Sequence, residues 1–352
     1  MKTRQSIRSD AASDRESLRR PDESEDPLTA QIYKAVVRFN TKLEAIEDRR
    51  LSANSCVDSI LHDLSEAISE MSSACEEFEK SNRAGAQLVK ELQKQVRRET
   101  DRFFLQSRFM RHARTWPRGY PGDFEILEDI YDNVSKSDGI GDCLDRYFLS
   151  TILARAVQGR KETMRGILKS ELEVGYGLKI LNVACGSCRE IVEIAQEVRS
   201  SGARMICIDA DPAAVEYSKE RLAVVGLGRD IVDVRRYNAL KMVSHDRNLS
   251  EFGMQDIVYS IGLFDYLRDD LLIAIISSLY RLVNPGGKLI VAFKDSLRYK
   301  TQEYHWLVDW RSFLQRTEDE QRSLVARAGI PMAMVSTLRE ANGVVLFFVA
   351  KR

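Results

Sequence analysis

Five small residues in a row, Ala184-Cys185-Gly186-Ser187-Cys188, follow the apolar run Ile180-Leu181-Asn182-Val183 and lead into a segment of helical character. A turn of small residues between a buried strand and a helix lets a ligand approach the backbone and leaves N–H groups unpaired at the helix start. Only Gly186 stands in its expected glycine slot; Ala184 and Cys188 fill the other two. Roughly 25 residues on comes Cys207-Ile208-Asp209-Ala210-Asp211-Pro212, where a carboxylate just past a second apolar run can accept hydrogen bonds from both hydroxyls of a ribose. Asp209 is the residue expected to do so. Asp211, ahead of Pro212, reads as a helix N-cap with proline at the first helical position, its carboxylate free to contribute. Cys185-x-x-Cys188 has no second cysteine pair or histidine cluster beside it, so small residues in glycine slots explain it better than redox chemistry or a metal, and no metal is expected.

These residues need a scaffold that brings strand ends together. Six β-rich runs alternate with helices beyond Gly175: Lys179–Ala184, Met205–Asp209, Ile231–Tyr237, Asp256–Ile261, Lys288–Phe293 and Gly343–Ala350, with helices starting near Cys188, Pro212, Arg268 and Thr317. Such alternation predicts parallel strands joined by right-handed crossovers, a Rossmann-like, doubly wound α/β sheet over 171–352 whose ligands lie beyond the carboxyl ends of the strands. Ahead of it, 28–115 reads as an all-α domain, with apolar residues at helical spacing and Gly85 its only glycine. A structural or dimerisation role suits it, and a homodimer through these helices is expected. Residues 1–27 carry six basic and seven acidic side chains and few large apolar ones, which predicts a disordered leader. Between the two domains, 116–170 is expected to form part of the substrate site. Its Trp116-Pro117-Arg118-Gly119-Tyr120-Pro121-Gly122-Asp123-Phe124-Glu125 packs two prolines, two glycines and three aromatics into one tight loop, which serves as a functional wall or as an interdomain elbow. Helices are expected over 126–131 and 144–168.

Composition narrows the function. Of 352 residues, 53 are Lys or Arg and 53 Asp or Glu. That balance disfavours a nucleic-acid partner, whose phosphates require an excess of cations. No apolar run is long enough to span a membrane and the N-terminus lacks the apolar stretch of a signal peptide, so the protein reads as cytoplasmic, without a membrane partner.

The ordered landmarks from about residue 145 to 352 resemble the class I S-adenosylmethionine-dependent methyltransferases. The resemblance rests on the small-residue turn, the acid at Asp209, Asn238-Ala239 after the third run, Ser260-Ile261-Gly262-Leu263 after the fourth, and Asn284-Pro285-Gly286-Gly287 before the fifth. It implies a seven-stranded sheet, S-adenosyl-L-methionine as cofactor, and contacts to it from Ala184, Gly186, Asp209, Ala210, Asn238, Ala239, Ser260, Gly262 and Leu263. Asn182 stands where the family has an acid, and Asn238 where an Asp is more frequent. The Gly119-to-Glu125 loop, the Arg155-to-Arg160 helix and the Trp306-Leu307-Val308-Asp309-Trp310 segment are further similar to bacterial proteins that make 3-hydroxypalmitic acid methyl ester.

The sulfonium methyl group is already activated, so the protein must chiefly align a nucleophile and exclude water. A carboxylate acceptor is ionised at neutral pH and needs no base, whereas an amine or hydroxyl usually does. Arg160 and Arg316 are expected to orient a carboxylate through paired hydrogen bonds. Tyr120, Phe264, Tyr266, Trp306 and Trp310 are expected to wall a small-molecule site, with Tyr120, Asp123, Asp265 and His305 the catalytic candidates. Two other readings stay open: methylation of an amine or amino acid in a secondary-metabolite pathway, and a non-catalytic regulatory protein that retains the cofactor.

Overall fold

A computed structural model describes residues 27–51, 57–81, 85–310 and 313–352. The leader expected over 1–27 lies outside these residues except for Pro27, the first residue of helix α1. Helices α1 (Pro27–Leu51), α2 (Val57–Lys80), α3 (Ala86–Phe104) and α4 (Arg108–Thr115) fill the region expected to be all-α. After the Trp116–Asp123 loop come α5 (Phe124–Asp132), α6 (Gly139–Ser150) and α7 (Ile152–Val174). The single helix expected over 144–168 is therefore two. Thr151 adopts an extended backbone and accepts a hydrogen bond from Ala154 N at 3.4 Å, ending α6 and capping α7.

The α/β part runs β1 (Lys179–Val183), α8 (Arg189–Val192), α9 (Ala195–Ser200), β2 (Arg204–Asp209), α10 (Pro212–Val224), β3 (Val232–Arg236), α11 (His245–Phe252), β4 (Gln255–Ser260), α12 (Asp269–Arg281), β5 (Val283–Lys294), α13 (Glu318–Arg327), β6 (Val335–Arg339) and β7 (Val345–Lys351). The sheet has seven strands in the order β3-β2-β1-β4-β5-β7-β6. The switch in strand order falls between β1 and β4, where parallel pairing sets Ile180 beside Ile257 and Asn182 beside Tyr259. One expectation needs correcting: β7 runs antiparallel to both β5 and β6, so the sheet is not wholly parallel. β6 had no β-rich run to mark it, because its side chains alternate between half-buried and exposed at the sheet's edge.

Side-chain alternation sends apolar residues to both faces of the sheet. Leu181, Val183, Ile208, Val258 and Leu289 pack with residues of α11, α12 and α13 on one face. Ile180, Cys207, Tyr259, Ile290 and Phe347 face the other side, in a core continuous with Phe39, Leu43, Leu64, Phe78 and Phe104 of the N-terminal helices. The apolar stripes of those helices are thus buried within this chain. A π-helical turn at Glu303–Leu307 locks the two parts together. Trp306 Nε1 donates to Glu79 Oε1 at 2.8 Å, Arg97 donates to the carbonyl of His305 at 2.8 Å, and Arg114 Nε to that of Leu307 at 2.8 Å.

Candidate functional site

At the carboxyl ends of β1, β2, β3 and β4 lies a cavity of about 650 Å³. Ala184, Gly186, Asp209, Ala210, Asn238, Ala239, Gly262 and Leu263 line it, as the sequence predicts, and so do Tyr120 and Tyr266. Ser260 does not: it is fully buried in β4, its hydroxyl without a partner.

The turn after β1 keeps a glycine-type backbone without the glycines. Ala184, Gly186 and Cys188 have φ of 57°, 54° and 51°, the left-handed region that costs an ordinary residue about 1 kcal/mol. The chain holds them there through backbone bonds from Cys185 N to Ile208 O at 3.0 Å and from Cys188 N to Cys185 O at 3.0 Å, and through Ser218 Oγ, which donates to Gly186 O at 2.7 Å. Cys185, Cys188 and Cys207 are buried beneath this turn as free thiols.

Asp209 sits at the mouth of the turn. Its Oδ2 accepts from Gly186 N at 2.9 Å and its Oδ1 from Asp211 N at 2.9 Å. A carboxylate has about four acceptor positions, so both oxygens keep capacity for ribose hydroxyls. Burial raises its pKa, opposed by these two backbone bonds. On the next strand end, Asn238 Oδ1 accepts from Leu240 N at 2.9 Å, leaving its amide NH2 for a base edge.

The opposite wall comes from the Trp116–Glu125 loop. Arg118 grips Asp211 with both ends of its guanidinium, Nε to Oδ2 and Nη2 to Oδ1 at 2.7 Å, and Tyr120 Oη donates to the same carboxylate at 3.0 Å. Arg118 thereby holds the Asp211 carboxyl at about 2, well under the usual range. Gly122, at φ 71°, passes so close to Tyr266 that a Cβ there would fall 2.5 Å from the phenol oxygen. Phe124 meets Tyr217 at 5.0 Å, and its Cβ lies 4.0 Å from where a side chain on Gly186 would begin. The loop is therefore a wall of the cavity as well as a connector. Arg118, Gly122, Phe124, Leu127 and Tyr237 had no individual contact predicted for them; only the fold brings Arg118 to an acid 93 positions away.

The remaining expected residues lie off the cavity, all but Arg160 with structural work. Asp123 is 1% exposed, caps α5 through Glu125 N and Ile126 N, and meets His112 Nε2 at 2.7 Å. Asp265 is buried against Lys294 Nζ at 2.6 Å. Phe264 packs on Phe293 in the core. Arg316 donates to the carbonyls of Phe264 and Leu267 and to Asp269 Oδ1 at 2.8 Å, a clip rather than an anchor for substrate. His305 and Trp306 belong to the interdomain lock, and burial pushes the His305 imidazole down. Trp310 stacks on Tyr304 at 6.0 Å. Arg160 is 4% exposed and touches the site only from behind Gly262.

Below the turn, Glu190 is 5% exposed and accepts from Asn182 Nδ2 at 3.0 Å and Tyr259 Oη at 2.9 Å. Burial drives its pKa from 4.5 to about 7. The native state then keeps a proton that the unfolded chain gives up, so stability falls as pH rises between those values. Glu190→Gln should flatten that loss, measured by urea unfolding at about pH 5 and about pH 8; equal slopes in both proteins would remove Glu190 as the source.

Residues 180–287 match the family model of the methyltransferase domain. That match covers less than half of the chain. An uncharacterized methyltransferase of Synechocystis sp. (strain ATCC 27184 / PCC 6803 / Kazusa) is 28% identical over 141 residues, which are 40% of this chain and 58% of that protein. The chain thus spans less than two thirds of the curated relative it matches. Among solved structures, a possible exported protein from Bordetella parapertussis has a TM-score of 0.56 at 19% identity, over 78% of this chain and 98% of the other, a likeness of fold. An O-methyltransferase family protein from Burkholderia thailandensis has a TM-score of 0.43 at 16% identity, over 59% and 62% of the two chains.

S-adenosylmethionine, the cofactor that the resemblance to methyltransferases implies, would fit what the cavity offers. There is an acid with spare acceptor positions at the second strand end and a free amide at the third. A turn without large side chains lies between the first strand and its helix. No helix among the described residues is long and apolar enough to cross a membrane.

Proposed function

We propose that the chain is an S-adenosylmethionine-dependent methyltransferase whose acceptor is a small molecule with a carboxylate, such as a hydroxy fatty acid that leaves as its methyl ester. The observation that carries this reading is the lack of a ready base in the cavity wall. Its titratable side chains are Arg118, Tyr120, Asp209, Asp211, Tyr237 and Tyr266. Asp211 is neutralised by Arg118, and Asp209 is bonded to two backbone N–H groups. Burial raises the phenols of Tyr120, Tyr237 and Tyr266, which therefore stay protonated at neutral pH. An acceptor that arrives ionised suits such a wall; an amine that must lose a proton does not.

When bound, the cofactor would supply an activated methyl group, and an ionised carboxylate can accept it without giving up a proton. Asp209 would hold the ribose, Asn238 and Ala239 the adenine edge, and Ala184 and Gly186 would admit the amino-acid end. Tyr120, Phe124 and Tyr266 exclude water, leaving alignment as the main source of rate. This is the reading implied by the similarity to the 3-hydroxypalmitic acid methyl ester proteins, with the cytoplasm as its place of work.

Calorimetric titration with S-adenosylmethionine and S-adenosylhomocysteine tests the first half. Both should bind, and a folded protein that binds neither is no methyltransferase. A radiolabelled product formed from 3-hydroxydecanoate should release its label as methanol in alkali; an alkali-stable product would point to a methylated amine or ether and reject the ester.

A further inference from the structure

Arg160 is a buried cation without a direct ion pair among the described residues, the nearby buried Glu190 feeling its charge without touching it. It lies on α7, 4% exposed, and among the described residues no carboxylate comes within ion-pair distance of it. Its Nε has no hydrogen-bond partner, and the neighbouring Tyr131, whose phenol burial pushes up, carries no charge to balance it. Leaving a charge buried and unpaired is among the most costly arrangements in a protein interior, and one that a ligand anion can relieve.

What lies beside that charge is the cavity wall. Gly262 lines the cavity, and a Cβ placed on it would sit 3.6, 3.7 and 3.8 Å from the Nη1, Nη2 and Cζ atoms of Arg160. Neither backbone nor crowding requires glycine there. Its φ is not among the positive ones, and those distances are ordinary contacts that an alanine would tolerate. What glycine contributes is open space between the cavity and the guanidinium. The other cation nearby, Lys294, is already neutralised by Asp265.

From this we infer that Gly262 is a window through which Arg160 receives a ligand carboxylate, held by paired hydrogen bonds that the guanidinium fork favours. Two carboxylates could reach it: the amino-acid end of the cofactor and the acid group of the acceptor. The inference rests on the cofactor reading above, but it fails separately.

The test is calorimetry on the full chain and on Arg160→Gln and Gly262→Ala. The probes are S-adenosylhomocysteine, methylthioadenosine, which lacks the amino-acid carboxylate, and 3-hydroxydecanoate added to the nucleoside complex. If the wild-type chain binds neither nucleoside, the cofactor reading falls, whatever Arg160 does. If both variants lose at least tenfold in affinity for S-adenosylhomocysteine and keep that for methylthioadenosine, the carboxylate is the cofactor's. If both keep the nucleosides and lose at least tenfold for 3-hydroxydecanoate, it is the acceptor's. Unchanged affinity for all three probes, or equal losses for the two nucleosides, overturns the inference. Gly262→Ala keeps Arg160 in place and narrows only the window, so it gives the answer even if Arg160→Gln does not fold.

Discussion

Asp209→Ala should weaken S-adenosylhomocysteine binding by roughly one to two orders of magnitude, since a hydrogen bond to a charged group contributes about 1.5–3 kcal/mol. The carboxylate has two tasks, and the substitution removes both. It would no longer receive ribose hydroxyls, and the N–H groups of Gly186 and Asp211 would lose the acceptors they now have at 2.9 Å. The second loss loosens the turn that holds Ala184 and Cys188 in left-handed backbone. Asp209→Asn separates the tasks. It keeps one oxygen for a backbone N–H, so the fold should stay closer to wild type while cofactor affinity still falls. Calorimetry alongside thermal unfolding reads the two effects apart. Wild-type affinity in Asp209→Ala would remove Asp209 from the site.

Arg118→Met should cost about tenfold in cofactor affinity although Arg118 is not expected to touch the cofactor. The Asp211 side chain is only 6% exposed, and Arg118 supplies its ion pair, while Tyr120 Oη and Ala213 N each donate one further hydrogen bond to it. Without that partner it keeps the hydrogen bonds of Tyr120 and Ala213 N but is a buried charge without an ion pair, two residues from Asp209, and the loop carrying Tyr120, Gly122 and Phe124 loses its charged tie to the strand ends. Arg118 is partly open to water, at 23% for its side chain, which keeps the effect below that of a fully buried pair. A double-mutant cycle with Asp211→Asn should give a coupling energy on the order of 1–3 kcal/mol in binding. The pH dependence has a defined sign. With Asp211 held at about 2, under its ordinary 3.8, the clasp is whole above that ordinary value and is lost as the pH falls toward 2. A cycle that closes to zero would mean that the loop is seated by other contacts, Phe124 on Tyr217 first among them.

The nucleotide half of this site was legible because it depends on local order. A strand, a small-residue turn and an acid at the next strand end occur in sequence, and parallel pairing places Cys207 beside Asn182 and Ile208 beside Val183. The left-handed backbone at Ala184 and Cys188 was less visible, because residue type signals it only when the residue is glycine. The acceptor half was legible only in part. Trp306, Trp310, Phe264 and His305 have the apolar and aromatic character of a cavity wall, but that character is shared with the core, and tertiary packing decided for the core. Arg316 and Arg160 look alike in sequence, yet one is used up on carbonyls and Asp269 while the other is left with its Nε unpartnered. The Arg118–Asp211 clasp could not be read at all, because a partner 93 positions away leaves no periodicity or spacing to detect. The antiparallel β7 escaped for a related reason: strand direction follows from where the chain re-enters the sheet, and the apolar run at Gly343–Ala350 is the same either way.

A crystal structure of the chain grown with S-adenosylhomocysteine tests the central claim most directly. The account expects both ribose hydroxyls within hydrogen-bond reach of Asp209, the adenine edge at Asn238 and the amino-acid end over Ala184 and Gly186, under the Tyr120 loop. Density for the nucleoside anywhere else, or a ribose turned away from Asp209, would contradict it.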